Sequence, residues 1–225
     1  MLPGSLFSAD ERRGVYRAIH ERRDVRSQFL PDPIPGDVLG RILDAAHHAP
    51  SVGFMQPWDF IVIRDRTVRE AVQGNFERAR IRAAEAYQGE QRELYLSLKL
   101  AGILEAPLNI CVTCDRGRRK GSALGRQTDR DVDLYSTVCA VQNLLLAARA
   151  ESLGVGWVSI LDFEDLKMIL GVPPDVTVVA YLCVGYVCEF RPRPDLEEKG
   201  WETRESLAKV IHFDRWGICD GDLQS

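Results

Sequence analysis

Residues 20 to 29 read HERRDVRSQF and set Arg22, Arg23 and Arg26 around a single carboxylate, Asp24. Guanidinium forks match phosphate oxygens in charge and geometry, so charge alone marks Arg22 and Arg26 as candidate phosphate ligands. The aspartate does not fit that picture, because an anion beside a bound anion costs energy. Either Asp24 neutralises its neighbours or it has chemical work to do on the same ligand. A second candidate stretch is PSVGFMQPW (50 to 58), a loop mixing small residues with Gln and aromatics, and a third is GWVS (156 to 159). Together they would suit a planar aromatic ligand with a phosphate tail.

Other chemistries find less support. GVGWVS begins like a dinucleotide fingerprint but lacks its third glycine and leads into a strand. There is no P-loop, and no nucleophile elbow frames a serine. Cys111 and Cys114 are three apart on an expected strand, so they point to opposite faces, and no second Cys pair or nearby His completes a zinc site. His20, His47, His48 and His212 show no metal spacing either. The expectation is no metal, with the cysteines acting as small apolar residues. Six cysteines in 225 residues do not make a disulfide framework.

These residues need elements to place them. Ser8 followed by Glu11 is a capping box, and Val15 and Ile19 follow at helical spacing, so a first helix should run to about Arg22 and deliver the arginine cluster at its end. Pro35 opens a second helix with Val38, Leu39, Ile42, Leu43 and Ala46 on one face. Residues 59 to 65 read as a strand, and 67 to 105 as helix broken near 88 to 90 and ended by Pro107. LNICVTC (108 to 114) is a second strand, and 115 to 133 a mobile, charged loop. The helix expected over 134 to 153 is apolar nearly all round, which suggests burial on several sides or a subunit interface. Strands follow at 154 to 161 and 176 to 187, separated by a short helix stopped at Gly171. The reading is a single domain over 1 to 225, with 188 to 225 as a C-terminal arm.

Hydrophobic content of 45% allows one well-filled core, and a net charge of −4 argues against a general nucleic-acid binder. The opening MLPGSLFSADERR has no apolar core of signal-peptide length, and the longest apolar stretch, 176 to 187, is too short to span a bilayer. A soluble cytoplasmic protein is expected, with neither membrane nor nucleic acid as partner.

Arg22, Arg26 and PSVGFMQPW followed by a strand resemble the FMN-binding elements of the nitroreductase family. ERRDVRSQFLPDP, AAHHAPSVGFMQPW, SLKLAGILEAPLNICVTCD and DLYSTVCAVQNLLLAARAESLGVGWVSI are similar to its flavin-cleaving branch, and the resemblance covers roughly residues 8 to 190. It implies an α+β fold, with a central, mainly antiparallel sheet flanked by helices and FMN at the interface of an intertwined homodimer or larger homo-oligomer. The alternation of elements alone would suggest α/β. Where most of the family has serine between the two basic residues, this chain has Asp24. Where most has asparagine in the loop, it has Phe54. Both departures are shared with the flavin-cleaving branch. The implied activity is oxygen-dependent cleavage of reduced FMN, as substrate, to 5,6-dimethylbenzimidazole and erythrose 4-phosphate. O2 is the co-substrate, and NAD(P)H enters only indirectly, through flavin reduction. Whether a partner reductase delivers the flavin stays open. The alternatives are an NAD(P)H-dependent flavin or corrinoid reductase or nitroreductase, and a non-enzymatic flavin carrier.

By the same resemblance, Asp24 is a base near the ribityl C1′ and Ser159 lies by the flavin N5 and C4a edge. The run Arg22, Arg23, Asp24, Val25, Arg26, with His47, Ser51, Leu96 and Ser159, lines the flavin. On residue type alone, the favoured reading is that Ser159 satisfies a strand end and His47 ends a helix.

Overall fold

A computed structural model describes residues 6–118 and 124–218. The helices are α1 (Ala9–Glu21), α2 (Gly36–His47), α3 (Arg66–Ala84), α4 (Gly89–Ser97), α5 (Val132–Ala150), α6 (Phe163–Leu170) and α7 (Asp195–Glu198). The strands are β1 (Trp58–Ile63), β2 (Leu108–Cys114), β3 (Leu153–Val158) and β4 (Thr177–Tyr186). The strands form one four-stranded sheet in the order β1-β2-β4-β3. Every pairing in it is antiparallel. The fold is therefore α+β, as the resemblance implies, and not the α/β that alternation suggests.

Alternation along the strands sends side chains to two cores. Leu108, Ile110 and Val112 of β2 pack with Leu182 and Val184 of β4 against α2 and α5, through Leu39, Ile42, Val141 and Leu144. Cys111, Tyr181 and Cys183 pack on the opposite face against Val72, Phe76 and Leu166 of α3 and α6. The thiols are thus core residues, and burial pushes Cys111 and Cys183 up to about 12.

Several boundaries follow local chemistry. Ser8 and Glu11 form the capping box of α1, and Gly171 ends α6 in the left-handed region (φ 67°). The helix expected to continue to 105 instead stops at Ser97. In the stretch that follows, side chains take up the carbonyls that helix would have used. Arg80 binds those of Leu96 and Leu98, Asn109 that of Ile103 and Arg69 that of Ala106.

The loop expected to be mobile is tied down where it is described; its residues 119–123 lie outside the described residues. Arg116 pairs with Asp131, Arg118 with Asp59, and Arg126 with the buried Asp133. The chain divides into two compact units, Met1–Pro192 and Arg193–Ser225. In the second, α7 is followed by a single 3-10 turn at Leu207–Val210, and the rings of His212 and Trp216 lie 4.4 Å apart. No described helix is long and apolar enough to cross a membrane.

Candidate active site

β3 is an edge strand, and its outer edge is closed by the arginine-rich segment that follows α1. The Val25 N–H donates to the Val155 carbonyl (3.0 Å), and Asp24 bridges Val155 in the parallel sense. Side chains then take over as the ladder. The Trp157 N–H donates to Asp24 Oδ1 (2.8 Å), and Arg26 Nη2 donates to the Trp157 carbonyl (2.7 Å). An open edge invites pairing with other chains, and here a carboxylate and a guanidinium satisfy it.

The approach is close enough to require glycine. A Cβ on Gly156 would run into the Val25 carbonyl oxygen and the Arg26 guanidinium, and one on Gly154 into the Val25 and Val187 side chains. The two glycines that fail as a dinucleotide fingerprint thus make room for the arginine segment.

Arg26 is only 14% exposed and reaches both Asp24 oxygens. Crowding by surrounding protein raises the Asp24 pKa above the ordinary aspartate range, against the lowering pull of Arg26, the Trp157 N–H and Arg22. Because 51% of the Asp24 side chain is exposed in the single chain, water moderates that rise. The carboxylate is therefore accessible, held in place by two partners, and more basic than usual.

Asp24 lines a groove of about 230 Å³ with Arg22, Arg23, Arg149, Trp157 and Phe190. Arg23 gives Nη1 to the carbonyls of His20 (2.8 Å) and Arg22 (2.7 Å), and Nη2 to that of Pro192, so it closes the end of α1. Arg149 donates to Glu21 (3.0 Å) and stands 4.0 Å over the Phe190 ring. The Nε atoms of Arg23 and Arg149 are buried, with no hydrogen-bond partner among the described residues. Arg22, Arg23 and Arg149 thus line the groove beside Asp24, with Asp24 paired to Arg26 and Arg149 paired to Glu21. The groove keeps surplus positive charge at Arg22 and Arg23, the condition for holding a phosphate-bearing ligand. Arg149 escaped the sequence reading because it is far from the cluster along the chain.

Of the residues singled out from sequence, Arg22, Asp24, Arg26 and Ser159 come together at this edge. Ser159 is exposed and follows β3, two residues beyond Trp157, which at strand rise is about 7 Å. No described residue hydrogen-bonds its hydroxyl. The Val25 side chain is 3% exposed and packs beneath the glycines, so it is the backbone of Val25 that stands at this edge. Arg23 lines the groove and also closes the end of α1.

The remaining candidates lie elsewhere. His47 ends α2, where its Nδ1 accepts the Trp58 indole N–H (3.1 Å), leaving the neutral ring's proton on Nε2. Ser51 Oγ accepts the Gln56 N–H (3.2 Å), inside a loop with positive φ at Gly53 (58°), Phe54 (52°) and Gln56 (45°). Both precede β1, the edge opposite β3. Leu96, near the end of α4, is 40% exposed, and its carbonyl is held by Arg80.

The nitroreductase family model matches residues 19–186. The chain belongs to the nitroreductase family. Within that family it is 43% identical over 205 residues to 5,6-dimethylbenzimidazole synthase of Rhodospirillum rubrum, covering 91% of this chain and 96% of that protein. To the synthase of Rhodobacter capsulatus it is 42% identical over 197 residues, 87% and 94% of the two chains. Among solved structures it resembles an oxidised iodotyrosine deiodinase bound to FMN and 3-iodo-L-tyrosine. That match has a TM-score of 0.71 at 20% identity, over 90% of this chain and all of the other. At that identity the likeness is one of fold, and it is the nitroreductase fold described above.

Proposed function

We propose that this protein is an enzyme that cleaves reduced FMN with O2, releasing 5,6-dimethylbenzimidazole and erythrose 4-phosphate. The observation that carries the reading is Asp24, a half-exposed carboxylate of raised pKa fixed between Arg26 and the Trp157 N–H at the floor of a cationic groove. A flavin reductase has no evident need of a base beside the phosphate anchor. The identity to two synthases at 42–43% supports the same reading.

The residues fit the ligand. Arg22 would hold the FMN phosphate, with Arg23 in the same groove as further positive charge. Reduced flavin and O2 supply the oxidative chemistry. Arg26 and Trp157 orient Asp24, which in this reading takes a proton from the ribityl C1′. The exposed hydroxyl of Ser159 offers a hydrogen bond at the N5 and C4a edge.

The proposed assembly is a homodimer. Tyr135 (56% exposed) and Val138 (42%) stand on α5 with Gln142 in one outward stripe, and Val15, Tyr16 and Ile19 on α1 are also exposed. α1 buries none of its residues in the single chain, although its spacing is amphipathic. Such a surface calls for a partner. A second copy would also let the Ser51 loop of one chain meet the Asp24 edge of the other, since within one chain they belong to opposite sheet edges.

The test is aerobic incubation of the purified protein with excess chemically reduced FMN, followed by product analysis, with NAD(P)H oxidation assayed separately. Free dimethylbenzimidazole without direct NAD(P)H turnover is expected. Intact FMN with steady NAD(P)H consumption would establish the reductase instead, and intact FMN with no turnover the carrier.

A further inference from the structure

We infer that Asn75, in the middle of α3 and outside the groove, is a positioning residue for Ser159; the inference rests on the proposed role of Ser159. Asn75 is 1% exposed, and Val72 and Phe76 on the same helix are buried apolar core residues. A buried amide costs free energy unless its donors and acceptor are satisfied, so a polar residue at such a position calls for a reason.

The reason is a single turn. Asn75 Nδ2 donates to the Asp162 carbonyl (2.8 Å) and to Asp165 Oδ2 (3.0 Å), while Oδ1 accepts the Asp162 N–H (2.8 Å). One side chain therefore holds both backbone groups of Asp162, three residues after Ser159. The gap between them is closed by the Leu161 N–H, which donates to the Ser159 carbonyl (3.1 Å). Two ion pairs between α3 and this turn, Arg82 with Asp162 and Arg78 with Asp165, brace the same place from the surface. Asp162 also caps α6 by accepting the Asp165 N–H (3.2 Å). Ser159 is thus fixed on one side by β3 and on the other by a turn clamped to α3. Without the clamp, the chain beyond Val158 keeps the Leu161 bond and the apolar packing of Ile160 and Leu161, but loses the hydrogen bonds that tie the turn's backbone to α3.

The experiment compares Asn75→Ala, Ser159→Ala and the double variant, each as the full chain. It reads dimethylbenzimidazole formed per FMN consumed in air, and affinity for reduced FMN under anaerobic conditions. Asn75→Ser, which keeps a small polar group, replaces Asn75→Ala if the latter does not fold. The expected result is a yield several-fold lower in the Asn75 variant, with flavin affinity changed less than about threefold. Adding the Asn75 change to Ser159→Ala should lower the yield no further, because a residue acting through Ser159 has nothing left to position. A normal yield in the Asn75 variant beside a reduced one in Ser159→Ala overturns the inference alone. So does an equal further loss in the double variant, which marks a general structural effect. A normal yield in Ser159→Ala overturns the role of Ser159 and the inference with it.

Discussion

The Asp24 edge and the Ser51 loop stand at opposite edges of the sheet and are held by opposite means. At β3 the backbone is ordinary and the site is made by charge, with Asp24 and Arg26 standing in for a missing strand. Before β1 the charges are peripheral and the site is made by conformation. Gly53, Phe54 and Gln56 all have positive φ, and the Phe54 side chain is 70% exposed. That shape is kept by Ser136 Oγ on the Val52 N–H, Ser51 Oγ on the Gln56 N–H, and Arg118 on the carbonyls of Gln56 and Trp58. Strained non-glycine residues persist only where their surroundings over-determine them, and they gather at functional sites. One region thus prepares an electrostatic environment, the other a fixed surface, and substitutions should separate the two.

The largest effect belongs to Asp24→Asn. The amide oxygen can still accept the Trp157 N–H, so the edge should stay closed while the base is lost. Dimethylbenzimidazole formation should fall by about 10² to 10⁴, the usual contribution of a positioned general base. Affinity for reduced FMN should hold or rise, since an anion near the phosphate is gone. A variant that makes product within a few-fold of the parent removes Asp24 as the base. The parent's pH profile carries the same signature. The base must be ionised, so activity should fall as pH drops through the raised Asp24 pKa, placing the acid limb above the ordinary aspartate value of about 3.9. Arg26→Gln removes a lowering influence and should move that limb to higher pH. For stability the sign runs the other way. A raised folded pKa contributes stability fully present below the unfolded value and lost as pH rises through the folded one, a dependence absent from Asp24→Asn.

These two regions were not equally legible in the sequence. Charge density pointed to Arg22 and Asp24 because a phosphate ligand and its anomaly are local signals. The capping box, the α2 face, β2 and the Gly171 stop were legible for the same reason. What sequence missed depends on partners far along the chain. Residues 98–106 kept an apolar helical spacing, yet Arg69, Arg80 and Asn109 drew their carbonyls away from helix. The charged loop looked solvated because Asp59, which pairs with Arg118, lies far from it along the chain, and because the burial of Asp133 at its own end, paired with Arg126, is set by tertiary packing. The need for glycine at 154 and 156 is set by Val25 and Arg26, which pack against them from far along the chain.

Arg22 and Arg26, equivalent as phosphate ligands by charge, differ in structure, and substitutions should tell them apart. Arg26 is committed to Asp24 and to the Trp157 carbonyl, whereas Arg22 lines the groove with no side-chain hydrogen bond to a described residue. Arg22→Ala should weaken reduced FMN about tenfold to a hundredfold, the loss of a charge-assisted contact, and leave riboflavin within about twofold. Arg26→Ala should weaken both, because it opens the β3 edge beneath either ligand. Equal losses of FMN and riboflavin in Arg22→Ala, measured by anaerobic titration, would move the phosphate anchor elsewhere.

The smallest effect tests the conformational side. At φ 52° the Phe54 backbone lies in the left-handed region, where asparagine is far more at ease than an aromatic residue. Phe54→Asn should therefore keep the loop's hydrogen bonds and release strain, stabilising the protein by up to about 1 kcal/mol, or roughly 2–4 °C in melting temperature for a chain of this size. If the strain is retained because the ligand needs an aromatic ring at that place, affinity for reduced FMN should fall in the same variant. Stability and binding would then move in opposite directions, which loss of ordinary packing could not produce, since that lowers both. Thermal melting and anaerobic titration of one preparation decide it. A variant less stable than the parent, with affinity unchanged, would make Phe54 a packing residue and leave the strained loop without a part in the site.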